Sequence, residues 1–546
     1  MFPAVNMNIP VIDLVIIITY LLGIMFVGLW VGRKTDKQTS DTYFLAGRNL
    51  RWPVVGAALF ASNISTIHLV GLAEGGYKHG LVIGNFEWMA TFTLIILALV
   101  FAPFYFRTRI STLPEFLEKR YSPVARTLLA IMFIMSALLI HIGISLYAGA
   151  AVFQQFFGIN VYASIVIISV VTAVYTVVGG LRAVVVTETI QAVILLLGAV
   201  VVTLLALFSL PEVGIDSLSA LKEATREHQL SMLHTSNEEG YAWYAFLLGY
   251  PILGLWYWCT DQTIVQRVLG ARTEKDAQLG ALFAGLLKIL PLFLMVLPGV
   301  FAYVLYHELI GDQAAQTLPV LITQLVPTGI RGVIAAALLA ALMSTIAAAL
   351  NSTGTLVAKD IAKHVRPDLS DEAQVRIGRI SAVVVMLLAM LWSTQGGRFG
   401  SIFEAINKMP AQFIAPPIAT VLLWGVFWRR GTRQAGVFTL ALGFGGGLIL
   451  FVLDLGLGVF GGKQWVTEGL QIPFMMQAWW LFCILSVFYV FVSLLTQAPS
   501  LEQVKDITWE RPGQVLFHGK LTGVGDPRVV AGMLLVAMAV LYALLR

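Results

Sequence analysis

Charge is scarce in this sequence. Asp, Glu, Lys and Arg make up 12% of its 546 residues, about half the share of an average soluble domain, while 58% are hydrophobic. That balance excludes a soluble globule. Only two cysteines occur, Cys259 and Cys483, both inside apolar runs, so neither a disulfide framework nor a thiolate metal site is expected. No HExxH, GxSxG or P-loop pattern is present, and no nucleophile stands beside a paired base, which argues against an enzyme. Gly456-Leu457-Gly458-Val459-Phe460-Gly461 fits the dinucleotide fingerprint. It follows an apolar span and lacks the strand-then-helix setting that gives the motif meaning, so it reads as a flexible outer loop. No Lys or Arg precedes the first apolar run, 9–31. The run is too long for a signal core and is expected to be a retained span.

What the sequence has in abundance is apolar runs long enough to cross a bilayer. They place about fourteen helical crossings between residues 9 and 545, the signature of an all-α integral membrane protein. Most of the 35 Lys and Arg residues fall in alternate loops, including Arg33, Arg48, Arg107, Arg120, Arg126, Arg182, Arg267, Arg272, Lys359, Arg429 and Lys505. By the positive-inside rule these loops are cytoplasmic, and an even number of crossings puts both termini outside. The net charge of +5 is then a topology signal rather than a nucleic-acid signal. The longest gaps, 211–240 and 496–527, are too short for an independent core, which leaves one membrane domain over 1–546. Alternating charge and apolar positions in 107–121 suit a short helix at the inner surface.

Polar residues inside spans are uneven, and they mark the working core. The span around 53–76 carries Ala61-Ser62-Asn63-Ile64-Ser65-Thr66-Ile67-His68; the seventh crossing carries Trp256-Tyr257-Trp258-Cys259-Thr260-Asp261-Gln262. Lipid offers no partner to unwound backbone, so such knots must face protein or line a solute cavity. They lie five crossings apart, as two five-helix inverted repeats with broken helices would place them. Residues 51–430 are expected to form that ten-helix transport core, 1–50 a first peripheral helix and inner loop, and 431–546 three further peripheral helices.

Ala341, Ser344 and Thr345 share a helix face at i, i+3 and i+4. The two hydroxyls either bond back to their own helix or, with carbonyls from a break near Ala61 and Ile64, surround a monovalent cation. Glu87 and Lys288 are opposite charges on different spans, each costing at least about 2.5 kcal/mol at the bilayer centre. They either pair and lock two helices or face a cavity with Asn63, His68 and Asn407. Such a lining balances donors against acceptors and suits an uncharged polyhydroxylated solute. Tyr257 and Trp258 could stack on the apolar face of a sugar ring.

At these residues the sequence resembles the sodium/glucose cotransporter family of sodium:solute symporters, most closely its sugar-transporting branch. Asp41-Thr42-Tyr43-Phe44-Leu45-Ala46-Gly47, Ala61-Ser62-Asn63-Ile64-Ser65, Phe86-Glu87-Trp88, Leu113-Pro114-Glu115-Phe116, Gly179-Gly180-Leu181, Trp256 to Gln262, Gln266-Arg267 and Asn351-Ser352 carry the likeness. The resemblance implies a LeuT-type 5+5 inverted-repeat core in the cell membrane that imports a sugar or polyol with sodium by alternating access. It implies a sodium site made of the carbonyls of Ala61, Ile64 and Ala341 and the hydroxyls of Ser344 and Thr345. It implies solute contacts from Asn63, His68, Glu87, Tyr257, Trp258, Lys288 and Asn407, with Leu72, Phe86 and Phe403 as the outer gate and Tyr257 as the inner one.

Departures from the family pattern bear on substrate and stoichiometry. Asn407 stands where the sugar branch usually has Gln, Ala90 replaces a polar residue, and His141 takes a position that is Asn or Lys in other members. Members with a second sodium resemble one another in an Asp on the sixth span and added Ser on the ninth. Glu188 and Ala347-Ala348 stand there instead, so one sodium per solute is expected. The alternatives are sodium symport of an organic acid or amino acid, and a solute-gated sodium sensor or channel.

Overall fold

The computed structural model describes residues 10–34, 39–235, 240–395, 408–454, 464–509 and 521–546. Phe403, Asn407 and the glycine-rich segment 456–461 lie outside them. The described residues form helices joined by short turns, with no strands beyond two isolated bridges. Eleven of these helices are long and apolar enough to cross a membrane, making this a multi-pass membrane protein.

Burial separates the helices by role. In Ile330–Val365, 94% of the most apolar window is buried, against 22% for Val11–Arg33 and Phe474–Leu495 and 17% for Pro527–Leu544. The centre of the molecule is thus an alanine-rich helix, Ile330–Thr355, and its small side chains admit close neighbours. A Cβ on Gly198 would come within 2.7 Å of the Ala337 Cβ. Where helices Thr66–His79 and Leu297–Ile310 cross, a Cβ on Gly76 would meet the Val296 carbonyl at 2.1 Å, and one on Gly299 the Ala73 carbonyl at 2.0 Å. Only glycine fits that crossing from either side.

Both expected breaks occur. Helix Trp52–Asn63 stops at Ile64 and Ser65, whose backbones are extended, and restarts at Thr66. Ile64 N–H makes the last helical bond, to the Phe60 carbonyl at 3.2 Å. Ser65 N–H donates instead to His68 Nδ1 at 3.1 Å, which releases the Ala61 carbonyl from its helical partner. In the second break, the π turn Leu255–Thr260 ends at Asp261, whose extended backbone starts helix Gln262–Leu269.

The fifth and sixth crossings divide at Gly180, where the two helices within Val161–Ser209 meet at a kink, φ 66°, which a side chain at that position would strain. One expectation needs correction: Arg267 does not belong to a basic loop but to helix Gln262–Leu269, fully buried. The segment 107–121 holds helix Leu113–Arg120, with Lys119 exposed and the opposite face packed. Arg120 is buried and donates to the carbonyls of Gly425, Trp428 and Gly431 at 2.7 to 3.0 Å, satisfying the end of helix Ala415–Phe427.

Candidate functional site

Two polar clusters meet at the first break. In one, Ser344 Oγ lies 2.8 Å from the Ala61 carbonyl and 2.9 Å from the Ala341 carbonyl. Thr345 Oγ1 lies 3.2 Å from the Ser62 carbonyl and 3.3 Å from that of Ala341. The hydroxyls therefore bond back along their own helix and also reach across to carbonyls of the broken one. Five oxygens converge with two hydroxyl protons among them, and each proton serves one acceptor at a time. Such an oxygen-rich, proton-poor cluster is chemistry for a hard cation. Ile64 is buried at the break itself; Ser62, whose carbonyl belongs to the cluster, is a member that sequence reasoning missed.

The other cluster lines a cavity of about 170 Å³ within the helical core, room for about six waters at ~30 Å³ each. Lys288 Nζ donates to both Asn63 Oδ1 and Glu87 Oε2, and Glu87 Oε1 is 4.0 Å from His68 Nε2. Glu87 and Lys288 are both buried and both line the cavity, so they pair with each other and face the space as well. The pair leaves the lining without net charge. The Lys288 ammonium also sits 5.3 Å from the Trp258 ring, a cation–π contact that helps hold it in place. Tyr257 stands edge-on to Trp258 at 5.1 Å and to Trp256 at 5.6 Å. Leu72 and Phe86 line the same space, and Phe86 stacks on Phe474 at 6.2 Å. Asn63, His68, Glu87, Tyr257, Trp258 and Lys288 are thus brought together, with Thr345 touching both clusters.

Two buried pairs were not foreseen. His141 Nε2 is 3.1 Å from Asp261 Oδ2, and His141 lines the same cavity. Glu188 receives two hydrogen bonds from Arg267 and lies 3.3 Å from Ser62 Oγ. The signal available was that each titratable group inside a span needs a partner; nothing local says which.

Residues 43–443 match the model of the sodium:solute symporter family. The chain belongs to that family. The symporter is 34% identical over 540 residues to sodium/myo-inositol cotransporter 2 of Oryctolagus cuniculus, covering 91% of this chain and 78% of that protein. It is 34% identical over 480 residues to the Homo sapiens protein of the same name, with 81% and 70% covered. It is 32% identical over 481 residues to sodium/glucose cotransporter 1 of Oryctolagus cuniculus, with 82% and 72% covered. Among solved structures it is similar in fold to a Na+-coupled sialic acid symporter in a substrate-bound outward-open state. That match has a TM-score of 0.76 at 20% identity, over 90% of this chain and 98% of the other. In the symporter sodium is the co-transported ion, as its family's name states.

Proposed function

We propose that the symporter imports an uncharged cyclic polyol or sugar, myo-inositol or a hexose, with one sodium per solute by alternating access in the cell membrane. The observation that carries this reading is the charge-balanced cavity in which Asn63, Glu87 and Lys288 form one hydrogen-bonded group beside Tyr257 and Trp258. A polyol both donates and accepts, so it can insert into that group without leaving a charge unpaired. A carboxylate solute would add a negative charge to a lining that already balances Glu87 with Lys288. The named relatives, which are sodium/myo-inositol and sodium/glucose cotransporters, support the same class.

Sodium is held by the carbonyls of Ala61, Ile64 and Ala341 and the hydroxyls of Ser344 and Thr345, with Ser62 as a further carbonyl. It ties the broken helix to Ile330–Thr355 and so orders Asn63 and His68 for the solute. Leu72, Phe86 and Phe403 close the outer side and Tyr257 the inner, with Asn407 completing the solute set. Glu188 is engaged by Arg267, and Ala347 and Ala348 offer no hydroxyls, which favours a single ion. The chain crosses the membrane fourteen times with both termini outside: 51–430 form a LeuT-type 5+5 core, and 1–50 and 431–546 supply peripheral helices. Transport, not bond chemistry, is its activity.

A thermal-shift screen of cyclic polyols and hexoses, with and without sodium, tests the reading. A compound that raises Tm only when sodium is present identifies solute and coupling together. Stabilisation by solute that is indifferent to sodium would contradict the proposal.

A further inference from the structure

Beneath the cavity, a buried polar seam runs between helix Gln262–Leu269 and the second half of Ile330–Thr355. Thr263 Oγ1 and Ser352 Oγ meet at 3.1 Å. Gln266 Nε2 reaches Thr355 Oγ1 and the Phe44 carbonyl, both at 2.7 Å, and Gln262 Oε1 accepts the Leu113 N–H at 3.0 Å. These side chains are all buried. Their bonding is nonetheless incomplete. Gln262 Nε2, Gln266 Oε1 and Asn351 Nδ2 have no hydrogen-bond partner among the described residues.

Leaving a buried donor or acceptor unmet costs about 1–3 kcal/mol, and a static membrane-helix interface is made more cheaply from apolar residues. Three such groups along one seam make sense if the interface opens and water meets them in another state. Along Ile330–Thr355 and the π turn Leu356–Ala362, the polar line continues through Thr345, Ser352, Thr355 and Asp360. It starts at the cavity and covers about 22 Å at 1.5 Å per residue. It ends at the basic face, cytoplasmic by the positive-inside rule.

There the seam is shut by an ion cluster. Asp360 Oδ1 accepts from Thr112 Oγ1 and from Arg126 Nε, each at 2.7 Å. Arg126 also bonds Glu118 and the Lys359 carbonyl, and Lys359 Nζ bonds Asp41 Oδ1 at 2.7 Å. The cluster thereby joins four separate segments across the mouth of the seam. Asp360 Oδ2 is buried and, like the three amide groups, without a hydrogen-bond partner among the described residues.

We propose that the seam between Gln262–Leu269 and Asn351–Asp360 is the solute's exit route, and that the Thr112–Arg126–Asp360 cluster is the latch that keeps it closed. The proposal rests on the cavity being the solute site. In the closed state the latch offsets the cost of the unmet amides; once it breaks, the seam hydrates and the route opens.

Ser352→Cys in the full-length protein, reconstituted in vesicles, reports on the seam through a membrane-impermeant thiol reagent. Its rate is read against the same protein without that cysteine. The latch requires that Asp360→Asn, and separately Arg126→Gln, raise the modification rate about a hundredfold or more, the scale expected when one partner of a buried pair is lost. The rise must occur only with reagent on the basic face. Unchanged rates in both variants would overturn the proposal. Should either variant fail to fold, Asn351→Leu supplies the second test: it must keep sodium-dependent solute binding and lose most uptake, and uptake at the wild-type rate would overturn the exit route. Failure of the solute-site reading looks different: added polyol would then leave Ser352→Cys reactivity untouched while the latch variants still raised it.

Discussion

Ser344 Oγ stands between the carbonyls of Ala61 and Ala341, at 2.8 and 2.9 Å, so a single hydroxyl proton is shared by two acceptors on different helices. The break at Ile64 creates this situation by turning the Ser65 N–H toward His68. An ion at that point would bind both helices at once. The same broken helix carries Asn63, which is bonded to Lys288 in the cavity, so an ion at the break and a solute in the cavity would act on one piece of backbone.

Ser344→Ala is expected to weaken apparent sodium affinity about tenfold, the equivalent of ~1.4 kcal/mol. The order of preference among solutes should stay as in wild type. Sodium activation curves of uptake, run with a panel of polyols and hexoses, measure both.

Lys288→Met strips Glu87 of its partner inside the membrane. Breaking a buried pair from one side costs about 3–5 kcal/mol, whereas replacing both members by neutral residues is far milder. The single variant should lose thermal stability, and Glu87→Gln combined with Lys288→Met should regain much of it without regaining transport. A double-mutant cycle on Tm with parallel uptake assays reads this.

The proposed coupling of one sodium per solute sets a ceiling on accumulation. A charge falling through about 100 mV releases about 2.3 kcal/mol, and a tenfold sodium gradient adds about 1.4 kcal/mol. Together they concentrate a neutral solute roughly 500-fold at most. Charge and solute measured in the same preparation should give one positive charge per polyol, and accumulation should stay under the ceiling set by the measured gradients.

The last described helix, Pro527–Leu544, starts on a cap just ahead of its apolar span: Asp526 accepts from the Arg528 N–H at 3.0 Å. The hydrogen bond from the Arg528 side chain holds the Asp526 carboxyl well below the usual carboxylate range. A lowered folded-state pKa gives stabilisation that is complete above the unfolded value, about 3.9, and lost only as pH falls through the folded one. Asp526→Ala should therefore cost about 1 kcal/mol, seen as a lower Tm. The difference should be the same at about pH 5 and about pH 8, with the initial rate per folded molecule unchanged.

Much of the site was legible because charge is so rare here. Glu87 and Lys288 stood out as intramembrane ions needing a partner, and the polar knot from Ala61 to His68 announced a break because lipid satisfies no free backbone. What stayed hidden were pairings across long separations. His141 with Asp261 and Glu188 with Arg267 join residues 120 and 79 positions apart, and no local pattern encodes such a choice. Arg267 shows the mechanism of the error: by sequence it reads as a loop cation just past a span. A second helix, Gln262–Leu269, in fact follows the break, and Glu188 holds the guanidinium inside. Gly180 illustrates the complement: the glycine pair beside Arg182 reads as a boundary between two spans, and the two helices within Val161–Ser209 meet there at a kink.

Uptake by purified protein in sealed vesicles tests the central claim most directly, with labelled myo-inositol and glucose offered under an inward sodium gradient. The account predicts accumulation above the outside concentration that requires sodium and collapses when a sodium ionophore dissipates the gradient. Uptake that proceeds equally well with sodium replaced by choline, or that never exceeds equilibration, would contradict it.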